Sequence, residues 1–214
     1  MAKRRKVGNM LALGLLALLV PGRPMHPYEM ATLLRRTGKE QDMEIKWGSL
    51  YTVVRNLERH GYIAATETSR AGRRPERTRY ALTDAGRAEL TDWMRELVAE
   101  PEKEHPRFEA ALSVLGVLPP DEATRLLEQR LRVLDEQIEE QRGSLAQLTG
   151  EVPRLFLIES EYALAIRVAE AAWLRTLLAE LSTGSLPGMA EWRQWHKTGG
   201  TPPGWDQLVE GSLE

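Results

Sequence analysis

The sequence contains no cysteine. That excludes disulfide scaffolds, thiolate zinc sites and cysteine nucleophiles, and it fits a reducing compartment. Histidine is scarce. His26, His60, His105 and His196 are scattered, and no two share a metal-binding spacing. Aromatic residues are only 6 % of the chain. Long apolar runs are missing too: Met10 to Val20 is eleven residues, against the ~20 a bilayer span needs. Lys3-Arg4-Arg5-Lys6 before that run imitates a secretion signal. The run ends in Pro21-Gly22-Arg23-Pro24, however, with no small-residue cleavage site, and reads better as a buried first helix behind a basic arm. Enzyme signatures are equally thin. Gly38-Lys39 lacks the upstream glycine of a phosphate loop, and Ser49 lacks the second glycine of a nucleophile elbow. The chain is therefore expected to be a cytoplasmic non-enzyme without cofactor, metal or membrane partner.

What is present is charge, unevenly placed. Residues 1–83 hold 16 Lys and Arg against 7 acids, whereas the remainder holds 13 against 24. One half suits a polyanion and the other does not. The pattern of the basic half predicts helices from about Val7 to Val20, from Pro27 to Gly38 and from Ser49 to His60. Proline suits a first helical position and Gly61 a helix stop. Two short strands follow, Tyr62–Ser69 and Arg79–Leu82, joined by a basic loop. Thr83 then caps a helix bearing Leu90, Trp93, Met94, Leu97 and Val98.

Three helices, a strand, a basic loop and a strand make a winged helix-turn-helix. Leu50, Val53, Val54 and Leu57 mark the buried face of the third helix. Ser49, Tyr51, Thr52, Arg55, Asn56 and Arg59 lie mostly outside it and can bond phosphates or base edges. A solvated amphipathic helix would look the same. The loop adds Arg70, Arg73, Arg74 and Arg77, with Arg79 beside them and only Glu76 opposed. Such a cluster repels itself unless a polyanion is near, although a solubilising loop is the alternative. Lys3, Arg4 and Arg5 are a weaker signal for DNA contact.

The acidic half reads as helices. Leu127, Leu131, Leu134, Ile138 and Leu145 keep heptad spacing on a long helix to about Leu148. That seam joins two subunits, or packs internally on the following helix with Leu155, Tyr162, Ile166, Ala169, Trp173, Leu177 and Leu181. The expected architecture is mainly α with a small β-hairpin wing: a DNA-binding domain over 1–100, a helical or coiled-coil dimerisation domain over 106–182, and a tail over 183–214 broken by glycines.

Three segments resemble the PadR family of transcriptional regulators: Pro24-Met25-His26-Pro27-Tyr28-Glu29, Gly48-Ser49-Leu50-Tyr51 through Gly61-Tyr62-Ile63, and Tyr80-Ala81-Leu82-Thr83-Asp84-Ala85-Gly86. Glu161-Tyr162-Ala163-Leu164-Ala165 and Ala172-Trp173-Leu174-Arg175 extend the likeness into the second half, so that it covers roughly residues 8–182. Pro27, where the family usually has glycine, and Thr52-Val53, in place of a proline-containing step, depart from it. The resemblance implies a homodimer whose third helix and wing grip an inverted-repeat operator in double-stranded DNA, acting mostly as a repressor. It also implies response to a small aromatic or cationic effector; Trp93, Met94, Tyr162 and Trp173, adaptable apolar and aromatic side chains, are either its pocket or plain core. A coiled-coil scaffold recruiting a protein partner is the alternative, and it leaves the basic loop without a purpose.

Overall fold

The computed structural model describes residues 5–43, 45–69 and 77–199. The chain divides into two compact units, Met1–Lys103 and Glu104–Glu214.

In the first unit, helix α1 (Met10–Leu18) is apolar all round, and Leu11, Ala12, Leu13, Leu15 and Leu16 are buried. The Asn9 side chain accepts from the Leu11 amide at 2.8 Å and fixes its start. Helix α2 (Pro27–Arg36) opens with a reciprocal cap. The His26 ring nitrogen Nδ1 accepts from the Tyr28 amide, while the Glu29 carboxylate accepts from the His26 amide at 3.0 Å. The polar segment after Gly38 forms the single turn α3 (Lys39–Asp42). Helix α4 (Leu50–Arg59) buries Leu50, Val53, Val54 and Leu57, as its spacing requires.

Strands β1 (Ile63–Ser69) and β2 (Arg77–Leu82) pair antiparallel, with an irregularity between Ala65 and Glu67. Met25 adds a rung, since its amide and carbonyl each bond Tyr80 at 3.0 Å. The hairpin is thereby tied to the start of α2. Helix α5 (Asp84–Ala99) is capped by the Thr83 hydroxyl, which accepts from the Gly86 amide. Its Leu90 and Trp93 complete the core built on α1, α2 and α4.

In the second unit, α6 (Arg107–Leu112) leads through a 3-10 turn to α7 (Pro120–Leu148). Helix α8 (Ile158–Thr183) folds back along α7. Gln141 bonds the Ser160 carbonyl near the connection, and Arg130 bonds Glu170 further out, the order of an antiparallel pair. The heptad seam is filled by this partner in the same chain. Leu127, Leu134 and Ile138 are buried against Ala171, Leu174 and Leu181, with Leu131 half-buried beside them. Of the two readings of the seam, packing on α8 within the chain holds for Leu127, Leu134 and Ile138, which corrects the expectation that these three face another subunit. The short connection after Leu148 brings an apolar helix close enough to occupy the seam first. Leu145 is only half-buried.

The tail also holds an unexpected helix, α9 (Met189–Thr198), bracketed by Gly188 and Gly199. The run between those glycines contains neither glycine nor proline, which is its sequence signal. It supplies a local need. The Gly116 carbonyl would ordinarily bond amides three or four residues on, but Pro119 and Pro120 have none. The Trp192 indole N–H donates to the Gly116 and Leu118 carbonyls at 3.2 and 3.0 Å, and His196 Nε2 lies 2.9 Å from the Gly116 oxygen. Trp192→Phe is expected to destabilise the second unit by about 1–2 kcal/mol, the cost of carbonyls losing a donor. Chemical denaturation checks this.

Candidate nucleic-acid interface

The α4 face opposite Val53, Val54 and Leu57 is open to solvent. Tyr51 is 57 % exposed, and Thr52, Arg55 and Arg59 are exposed with it. Asn56 is half-buried at the edge of this face, and its carboxamide oxygen accepts from Arg59. Arg55 has no hydrogen-bond or ion-pair partner among the described residues. Ser49 lies just before the helix and donates its hydroxyl hydrogen to the Lys46 carbonyl at 2.7 Å.

Glu58, the one acid of α4, is exposed. Burial, and then the neighbouring Glu58 carboxylate, raise the Tyr80 pKa above its ordinary value, so the phenol keeps its proton. The outward surface of α4 carries Arg55 and Arg59 against this single acid.

Arg79 is directed inward. It bonds the Pro24 carbonyl at 3.3 Å and Glu29 at 3.0 Å, joining β2 to α2. Arg77 opens β2, while Arg70, Arg73, Arg74, Lys3 and Arg4 lie outside the described residues.

Arg5 departs from expectation. Its side chain is 5 % exposed. It bonds Glu89 at 2.8 Å, Asp92 at 3.2 Å and Glu96, with its guanidinium 5.5 Å from the centre of the Trp93 ring. Burial alone would lower its pKa, but the bonds to Glu89, Glu96 and Asp92 raise it. Glu89, Asp92, Trp93 and Glu96 share one face of α5, at spacings of three and four residues, so a single guanidinium reaches all of them. This corrects the reading of Arg5 as a DNA contact. The sequence placed the arginine in a basic arm but could not show the acids waiting 84 to 91 residues away.

The four aromatic and sulfur side chains expected to form one pocket occupy different settings. Trp93 is 4 % exposed and belongs to the core of the first unit, whereas Met94, one residue on, faces solvent. Tyr162 and Trp173 are both exposed on α8, about 16 Å apart along the helix. Trp173 lines a hollow of about 700 Å³ in the second unit, together with Phe108, Leu112, Arg130 and Glu170. Phe108 and Trp173 meet edge to face at 6.4 Å, and the Arg130 guanidinium lies 3.7 Å above the Phe108 ring. Sequence reasoning missed Phe108 and Arg130, because they become neighbours of Trp173 only when α6 and α8 pack.

No group of His, Asp or Glu among the described residues is arranged to hold a metal ion, and no described helix is long and apolar enough to cross a membrane.

A hairpin wing behind a helix-turn-helix, with Arg55 and Arg59 exposed on the last helix of that motif, defines a winged-helix fold. Residues 15–92 match the family model described as transcriptional regulator PadR-like family. Solved structures agree in fold. Bacillus subtilis PadR in complex with operator DNA is 23 % identical, with a TM-score of 0.66 over 81 % of this chain and 99 % of that one. The same protein in complex with p-coumaric acid gives 22 % identity and 0.65 over the same shares. The Vibrio cholerae virulence activator AphA gives 18 % identity and 0.62, over 81 % of this chain and 98 % of that one. No curated protein sequence matches the chain.

Proposed function

We propose that this protein is a cytoplasmic, ligand-responsive repressor that binds an inverted-repeat operator as a homodimer. The observation that carries the DNA-binding reading is the outward face of α4, where Arg55 is exposed without a partner among the described residues and Arg59 is exposed one turn on. Asn56 and Arg59, with Tyr51 and Thr52, complete the reading face. Ser49 sits at its leading edge, and the arginines of the wing, Arg70, Arg73, Arg74 and Arg77, grip phosphate.

The dimer contact moves from the α7 seam to the far side of α8. Ile158, Tyr162, Ile166 and Trp173 recur there at helical spacing, opposite the buried Ala171 and Leu174, and all four are exposed. An apolar stripe of this length on a helix whose other face is already packed calls for a cover. A two-fold homodimer would present two copies of α4 to half-sites about one helical turn apart, roughly 34 Å. The hollow beside Trp173 suits a flat aromatic effector, with Phe108 and Trp173 as its walls. The relative bound to p-coumaric acid supports this class of ligand.

The test is electrophoretic retardation on genomic fragments, read across salt. Binding is expected at low salt and falls steeply as salt rises, because lysines and arginines displace counterions. Tyr162→Asp with Ile166→Asp is expected to convert two-chain particles to one by light scattering and to abolish the retarded band. Absence of any shift at low salt ends the DNA-binding reading. A variant that remains a dimer moves the interface elsewhere.

A further inference from the structure

We propose that α4 reads guanines, one through Arg55 and one through Arg59, on base pairs adjacent or next but one within each half-site. The inference rests on the DNA-binding reading above and adds the sequence class that the helix selects.

It follows from an inventory of donors and acceptors on the outward face. Arg55 offers five N–H donors, accepts nothing, and has no partner among the described residues. Arg59, one helical turn on, is also donor-only and gives one hydrogen to Asn56. Asn56 would ordinarily read adenine by using its oxygen and its amide together, the oxygen accepting from the adenine amino group. Here one lone pair of that oxygen is taken by Arg59, and the amide hydrogens stay available. Glu58 is exposed on the same helix as the single acid beside these two cations. The hydroxyls of Tyr51 and Thr52 rotate and donate as readily as they accept.

The two guanidiniums, donors only, select edges made of acceptors. In the major groove guanine presents two, N7 and O6, and a guanidinium fork matches both at once. Adenine and cytosine each place an amino donor where the forks need an acceptor. Arg55 and Arg59 are separated by one turn, about 6 Å along the helix. Base pairs rise by about 3.4 Å, so the two forks fall on pairs one or two steps apart.

The experiment is selection of duplexes by the full-length protein from a randomised library, repeated with Arg55→Ala and Arg59→Ala. Circular dichroism confirms that each variant is folded. The wild type is expected to enrich two guanines within two base pairs of each other in each half-site, and each substitution flattens the preference at one of them. Replacing either guanine by 7-deazaguanine removes the N7 acceptor. It is expected to weaken wild-type binding roughly 5- to 100-fold while leaving the matching alanine variant indifferent. Enriched sites without these guanines, or wild-type binding indifferent to 7-deazaguanine, overturn the inference and leave DNA binding intact. Recovery of no duplex at low salt overturns the DNA-binding reading, and this inference with it.

Discussion

Gly86→Ala is expected to unfold or severely loosen the DNA-binding unit. A Cβ at this position would lie 1.9 Å from the Tyr62 carbonyl oxygen, 2.8 Å from its carbon and 2.9 Å from a Leu82 methyl. Two of these are backbone atoms and cannot swing aside. The Tyr62 carbonyl is also held in place, since it accepts from the Thr83 amide at 3.1 Å. Relief therefore requires α5 to move away from the start of β1, breaking the Thr83 cap and shifting Leu90 and Trp93 in the core. The cost is at the upper end for an added methyl in a packed site, about 3 kcal/mol. For a unit of this size that lowers the melting midpoint by roughly 12–24 °C. Gly143→Ala is the control. Nothing lies within 4 Å of a Cβ there, and the residue sits inside α7, so the change is expected to be neutral or stabilising by up to about 1 kcal/mol. Differential scanning calorimetry of both variants checks the pair. A Gly86→Ala protein that melts like the wild type refutes the close packing of α5 on β1.

Arg5→Ala is the second large effect, and it separates two meanings of a basic residue. Removing the guanidinium takes away a cation shared by Glu89 and Glu96, both mostly buried, and by Asp92. Breaking a buried pair by deleting one member costs about 3–5 kcal/mol; the half-exposed Asp92 places this case near 3. The expected result is a lower melting midpoint, with operator affinity unchanged well below it. Arg5→Lys keeps the charge but cannot span three carboxylates, so it recovers only part of the loss. Loss of DNA affinity without loss of stability would return Arg5 to the nucleic-acid interface.

Much of the first unit was legible in the sequence because its signals are local. Asn9, Pro27, Gly61 and Thr83 each act on the nearest turn of backbone, and the periodicity of Leu50, Val53, Val54 and Leu57 assigns one face of α4 without any knowledge of its partners. The exposed face, with Tyr51, Thr52, Arg55 and Arg59, followed as the complement of the buried one. Charge balance along the chain located the basic half by simple counting.

What only tertiary structure decided are the pairings across sequence distance. A heptad seam states that a helix needs an apolar partner, but not whether that partner is a second chain or α8 of the same one; the fold-back after Leu148 chose the latter. Helix α8 is apolar on two faces, and periodicity alone did not separate Ala171 and Leu174, buried on α7, from Tyr162 and Trp173, left open. Arg5 and Arg79 read as surface charge until Glu89, Asp92, Glu96 and Glu29 were brought to them. The sequence by itself determined where helices start, which faces are apolar and where positive charge collects, since those depend on residues within a turn or two. Which apolar face meets which, and which cations remain free for a ligand, depended on packing between residues tens of positions apart.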